Sequence, residues 1–173
     1  MTQKEMIAIR ILTETDAEAY KSVRLEGLKQ YPRAFGMVFA EESAQLLEYF
    51  SARLKRNTVF SGFEQSELLG IVSFSIRQNE KEQHKGSLSG MYVRWNARGT
   101  GLAMALVRTL LSHAQGKVDL VQLSAAVSNE KALRLYLGCG FEIYGTEPRS
   151  LKVSGEYLDE ALMHISLTEK NGK

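Results

Sequence analysis

The chain moves between two hydrophobic rhythms. Ile7, Ile9 and Ile11 stand at every second position, with Ala8 and Arg10 between them, which is the period of a strand. From Ala17 the spacing lengthens. Ala17, Tyr20, Val23, Arg24, Gly27, Leu28 and Tyr31 recur every three to four residues behind cap-forming side chains at Thr13 to Asp16, and this predicts a helix. Pro32 disfavours helical geometry at Tyr31, so the helix ends there. Leu46 or Leu47, Phe50 and Leu54 predict a second helix over about 42–55. Extended runs follow at 58–63, 68–77 and 84–93, the first two joined as a hairpin through Gly62 and the polar residues 64–67. Leu102, Leu106, Val107, Leu110 and Leu111 fill one face of a long helix from Gly101 to about Gln115, and Gly116 stops it. Residues 120–127 read as a buried strand, 129–137 as a short helix, and 141–144 and 157–167 as the last strands. The order β, α, α, β, β, β, α, β, α, β, β predicts a mixed α/β domain over 7–167 with about seven strands and four helices. Its sheet is antiparallel in the first half, and 168–173 is expected to be a frayed tail.

Composition narrows the function. At 173 residues, with 44% apolar and 24% charged side chains, the chain can bury a core of its own. A net charge of +2 gives no case for nucleic acid as partner. Cys139 is the only cysteine, so no intrachain disulfide forms, and His84, His113 and His164 lack zinc-ligand spacing. No run of apolar residues is long enough for a membrane span, and no apolar leader core follows Met1 to Met6. A cytoplasmic protein without a metal is expected.

The chemistry is concentrated in residues 91–103, where a strand ends at Met91-Tyr92-Val93, a loop carries Gly99 and Gly101, and a helix begins. The first turn of a helix has unpaired N–H groups and roughly half a positive charge. Gly99 and Gly101 let the backbone approach a phosphate, and Arg98 adds a charged donor. A pyrophosphate suits such a place. The dinucleotide fingerprint would need a glycine where Met104 stands, and a P-loop would need lysine where Leu102 stands.

Arg98-x-x-Gly101-x-Ala103 resembles the pyrophosphate motif of the GCN5-related N-acetyltransferases, the GNAT superfamily. Asn129-x-x-Ala132-x-x-x-Tyr136 ahead of Gly140-Phe141 is similar to that family's second signature. The likeness extends to Arg24-Leu25-Glu26-Gly27-Leu28, Pro32-x-Ala34-Phe35 and Glu41-Glu42 upstream, and to Tyr144 through Lys152 downstream. It therefore covers most of the chain and implies the GNAT fold, a twisted mixed sheet with helices on it.

The resemblance also implies an activity: direct attack of an acceptor's primary amine on acetyl-CoA, the cosubstrate. Strand 84–93 would splay from 120–127, and the pantetheine arm would pair with the free edge through the backbone of Met91 and Val93. N–H groups at this strand end would hold the oxyanion of the tetrahedral intermediate. Tyr92, Arg98, Gly99, Thr100, Gly101, Leu102, Ala103, Asn129 and Ala132 complete the expected cofactor contacts, and Tyr136 would protonate the leaving thiolate. On the residues alone, Asn129 is also an N-cap candidate and Tyr136 reads better as a core tyrosine. Neutralising an amine of pKa about 10.4 at pH 7 costs about 4.6 kcal/mol, so a base or a desolvated site must offset part of it. Many members place a glutamate on the strand before the motif. This chain has Ser87, Leu88, Ser89 and Gly90 there, which leaves Glu26 or a water chain as the base. Glu26 and His84 are the candidates for the acceptor site.

Two other readings stay open at this stage: an acyl-CoA-binding module of the same fold that does not turn over, and a nucleotide-binding protein. The acceptor could be a protein amine, a polyamine, an amino acid or an aminated antibiotic, with a small amine favoured. The last two strands could support a homodimer. Trp95, where many members have proline, either covers the cofactor or marks a contact surface.

Overall fold

The computed structural model describes residues 7–168. Seven strands form one sheet: β1 (Ala8–Ile11), β2 (Thr58–Glu64), β3 (Glu67–Ile76), β4 (Lys85–Val93), β5 (Leu120–Ala126), β6 (Glu142–Val153) and β7 (Glu156–Ser166). Their spatial order is β1-β2-β3-β4-β5-β7-β6. Every neighbouring pair is antiparallel except β4 and β5. Five helices cover the sheet: α1 (Ala17–Gln30), α2 (Phe39–Ser43), α3 (Leu47–Arg56), α4 (Leu102–Ala114) and α5 (Glu130–Gly138). α1 and α3 bury Tyr20, Val23, Phe50 and Leu54 against Val59 and Ile71 on one face. α4 buries Leu106, Val107 and Leu110 against Phe60, Val72 and Val121 on the other. Each such side chain contributes roughly 1.5–3 kcal/mol by leaving water. These two layers hold β4 in the middle of the sheet.

β4 carries the feature that makes a site. Ile71 of β3 stands opposite Tyr92, but Ser73 stands opposite Ser89, so β4 spends one residue more than β3 over this step. This is a β-bulge, and Gly90 in it has φ +63°, a left-handed conformation that glycine adopts without strain. The extra residue reverses the parity of the strand. Leu88 faces the α4 core, whereas Tyr92 lies in the α1 core and Met91 and Val93 pack on the α4 side. A bulged strand also bends. β4 and β5 are paired only over Lys85–Ser87 and Leu120–Gln122, and the strands part beyond them.

Two expectations need correction. The helix expected over 42–55 is two helices, α2 and α3, separated by an extended Leu46 (φ −70°, ψ 166°). Glu42 lies inside α2 with its carboxylate buried on Arg24 (Nε to Oε2 2.6 Å) and does not start the next helix. Leu46 is 75% exposed, and the apolar face belongs to Phe50 and Leu54. The strand expected at 141–144 continues to Val153 as one arm of a long hairpin. Its side chains are mostly exposed, and its register with β7 slips between Ile143 and Gly145 and between Glu147 and Leu151. No alternation therefore marks it. Pro148 is tolerated because β6 is an edge strand. Ser154 (φ 51°) and Gly155 (φ 86°) close the hairpin as a two-residue turn. The expected tail at 168–173 lies, after Thr168, outside the described residues.

Candidate functional site

Where β4 and β5 part, an open strand edge faces a groove. The Arg94 N–H donates to the Leu69 carbonyl on β3. Backbone groups alternate direction along a strand, so those of Met91 and Val93 face the parted side. The groove has a volume of about 990 Å³ and runs from this edge to the start of α4. Of the expected cofactor contacts, Met91, Tyr92, Val93, Arg98, Gly99, Gly101, Leu102, Ala103, Asn129 and Ala132 line it. Trp95, 79% exposed, lies along the same groove.

The loop before α4 leaves open space at a helix start. Gly101 caps the helix at φ +89°, and Gly99 has φ +76°. A Cβ on either would meet nothing within 4 Å, so the space above both glycines is free for a ligand. Thr100 points into the loop instead, with its hydroxyl on the Ala97 carbonyl at 2.7 Å. Arg98 is partly committed to the protein. It donates from Nε to the Val93 carbonyl (3.1 Å) and from Nη1 to the Tyr31 hydroxyl (2.7 Å), and it stacks over the rings of Tyr31 and Trp95. It thus pins the end of α1 to the end of β4 as well as bordering the loop.

α5 brings its side chains to the parted strands. Asn129 is the N-cap, with Oδ1 accepting from Ala132 N–H at 3.2 Å, and it also lines the groove. Tyr136 lies about two turns further along the same face of the helix, 6% exposed, edge-on to Phe141. Its hydroxyl has no hydrogen-bond partner among the described residues. Tyr136 borders a cavity of about 100 Å³ with Ser89, Gly90, Met91 and Ser124. Burial raises the Tyr136 pKa above the ordinary phenol value, so the hydroxyl keeps its proton across the working pH range.

The structure does not gather Glu26 or His84 into this cavity. Glu26 accepts from the Tyr92 hydroxyl (2.7 Å) and from Arg94 Nε (3.0 Å), which makes it a tie between α1 and β4. His84 precedes β4 at the end opposite the cavity. With nine residues in β4, the strand separates His84 from Val93 by about 30 Å. Cys139 is half-buried, and burial raises its thiol pKa, which opposes a nucleophilic role.

Other residues line the site that the sequence reading had not named as site residues. Ala34 and Phe35, from the connection between α1 and α2, roof both the groove and the small cavity. Ser89, Gly90 and Ser124 form the cavity floor. A third pocket of about 400 Å³ lies between residues 30–34 and the end of β5, and Arg33 lines it. Gly90, inside strand 84–93, was a local sign of the bulge, whereas Ala34 and Phe35 were marked by family likeness alone. Among the described residues, no group of three or more His, Cys, Asp or Glu side chains could hold a metal ion. No helix among them is long and apolar enough to cross a membrane.

Comparison with known proteins agrees with this geometry. The model of the acetyltransferase (GNAT) family matches residues 22–141. An L-amino acid N-acetyltransferase, AaaT, of Escherichia coli K12 is 31% identical over 101 residues, covering 56% of this chain and 60% of that protein. An L-methionine sulfoximine/L-methionine sulfone acetyltransferase of Pseudomonas aeruginosa is 31% identical over 103 residues, covering 58% of this chain and 59% of that protein. The matched segment thus spans about three fifths of the length of these relatives. Among solved structures, yncA of Salmonella typhimurium, determined with acetyl-CoA, superposes with a TM-score of 0.80 at 20% identity, covering 97% of this chain and 98% of that one. A GNAT acetyltransferase of Streptococcus pneumoniae gives a TM-score of 0.80 at 21% identity, covering 94% and 100%.

Proposed function

Because the chain belongs to the acetyltransferase (GNAT) family, we propose that it transfers an acetyl group from acetyl-CoA to the primary amine of a small amino acid. The observation that carries this reading is the parting of β4 from β5 beyond Ser87. It leaves one open edge leading from the glycine loop of α4 to the Tyr136 cavity. The acceptor class follows the two amino-acid acetyltransferases that the chain resembles.

The residues present suit acetyl-CoA. The free space above Gly99 and Gly101, at the positive end of α4, suits a pyrophosphate. The edge at Met91 and Val93 offers backbone groups to an amide-bearing arm as an added strand would. The Val93 carbonyl already accepts from Arg98, so the Val93 N–H and both groups of Met91 are the ones to offer. Acetyl-CoA supplies an activated thioester, open to direct attack by an amine. The backbone N–H groups of the bulge would serve as donors for a carbonyl oxygen that takes on charge.

Tyr136 holds a proton at its hydroxyl, oriented by the packing of its ring on Phe141. Its raised pKa makes it a weaker acid. The same desolvation raises the basicity of a thiolate in this cavity, so the two shifts offset. Among the described residues no carboxylate borders the cavity, and Ser89 and Ser124 offer hydroxyls that can pass the proton of an incoming amine to water. Cys139, unpaired, suits a reducing cytoplasm.

The test is a panel of L-amino acids and simple amines incubated with acetyl-CoA, with free thiol as readout. Thiol release that depends on an amino acid supports the reading. A second reading, an acyl-CoA-binding module that does not turn over, is favoured by the absence of a carboxylate at the cavity and by the engagement of Glu26 elsewhere. Tight CoA binding without thiol release from any amine would establish it.

A further inference from the structure

The third pocket has a charged wall that acetyl transfer itself does not require. Arg33 lines it, and its Nη1 donates to Glu156 Oε2 at 2.6 Å. The two residues stand 123 positions apart, one between α1 and α2, the other at the tip of the β6–β7 hairpin. Their contact joins two segments that flank the parted strands. Asp159 and Glu160 find partners inside the hairpin, on the Arg149 N–H and the Ser150 hydroxyl. Glu156 instead reaches outward to Arg33. Both side chains are well exposed, at 50% and 69%, and such a pair contributes little to stability. The bond is therefore easily exchanged.

The pocket opens onto the chemistry. Ala34 and Asn129 line it, and the same two residues line both the groove and the small Tyr136 cavity. Ala126 is shared with the small cavity as well. An α-amino acid carries its amine and its carboxylate on one carbon, so an amine aimed at the cavity keeps its carboxylate close by. A guanidinium recognises a carboxylate through paired N–H donors, and Glu156 already shows Arg33 binding one. Resting on the proposed acetylation of amino acids, we infer that Arg33 binds the acceptor's α-carboxylate, and that Glu156 is an internal carboxylate that the acceptor displaces. The hairpin tip then sets the threshold for acceptor binding. Acceptors without a carboxylate gain nothing from Arg33.

The experiment compares an amino acid with its carboxamide as acceptors, at saturating acetyl-CoA. Arg33→Gln should reduce the preference for the acid over the amide on the order of 10-fold to 100-fold, mainly through KM of the acid. Arg33→Lys should restore part of that preference, since it keeps the charge but loses the fork. Glu156→Gln should act in the opposite direction, lowering KM for the acid by about 2-fold to 5-fold while KM for the amide stays put. Equal losses on acid and amide in Arg33→Gln, or a higher KM for the acid in Glu156→Gln, would make the pair a structural clamp and overturn the inference. Acetylation of simple amines with amino acids inert would also overturn it, while leaving acetyl transfer intact. No thiol release from any amine would sink both readings.

Discussion

The two walls of the site are made of different material. The wall along α4 is backbone: one continuous stretch from Met91 to Met104 supplies a strand edge, two glycines and a helix start. The opposite wall is lined by side chains such as Tyr31, Arg33 and Phe35, and side-chain ties between segments far apart in the sequence hold it from behind. Arg33 meets Glu156, Arg24 meets Glu42 and Glu26 meets Tyr92 and Arg94. A backbone wall recognises what its ligands share, such as phosphate oxygens and amide groups. A side-chain wall can be altered one residue at a time without disturbing the fold, and that suits it to choosing among acceptors. The cofactor side should therefore fail through conformation, and the acceptor side through single charges.

The largest expected effect is on the backbone wall. Gly101→Glu should reduce CoA affinity by more than about 1,000-fold, since it places a carboxylate at the helix start and strains a φ of +89°. The loop faces open space, so circular dichroism should show an intact fold. If the folded variant keeps its affinity, the anion does not sit at Gly101. Next is the ion pair that anchors the other wall. Arg24 and Glu42 are 4% and 1% exposed, with Arg53 a second cation 3.7 Å from the Glu42 carboxylate. Arg24→Met should cost about 3–5 kcal/mol in urea unfolding by leaving a buried charge, and adding Glu42→Leu should recover much of it. No recovery in the double variant would mean that the pair contributes more than its own neutralisation.

Tyr136 stands between the walls. Tyr136→Phe should lower kcat by about 100-fold to 1,000-fold and leave KM for acetyl-CoA unchanged, because only an unpartnered hydroxyl is removed. A packing role predicts lost stability with kcat preserved, which a thermal melt run beside the kinetics would show. The smallest effect is expected at Glu26. Glu26→Gln should cost about 1 kcal/mol through the loss of the Arg94 bond, whose partners are 21% and 28% exposed. The acid limb of the kcat/KM pH profile should stay where it is. A limb that vanishes would return Glu26 to the role of base.

The backbone wall was legible in the sequence for the same reason that it is robust. Gly99, Gly101 and the helix after them are neighbours, so their spacing alone marks the proposed anion site. The open edge was expected from family likeness, while its physical origin, the bulge at Gly90, had only the faint sign of a glycine inside a strand. The side-chain wall was not legible. Glu42 was read into the start of a helix because its buried partner lies 18 residues upstream, beyond any local period. Glu26 was a candidate base because no spacing rule reveals that Tyr92 and Arg94 occupy both of its oxygens. His84 shared a strand with Met91, but a strand is long enough to hold two residues at opposite ends of a sheet. The β6 arm was cut short because an exposed edge strand has no buried face to set an alternation.

The central claim is that CoA lies along the parted edge of β4 with its pyrophosphate at the start of α4. Residue-resolved amide hydrogen exchange, with and without saturating CoA, tests this directly. The account predicts that protection rises at the Met91 and Val93 amides and across Gly101–Ala103, with little change on β1 and β2. CoA that binds while these amides exchange as before, with protection appearing elsewhere, would contradict it.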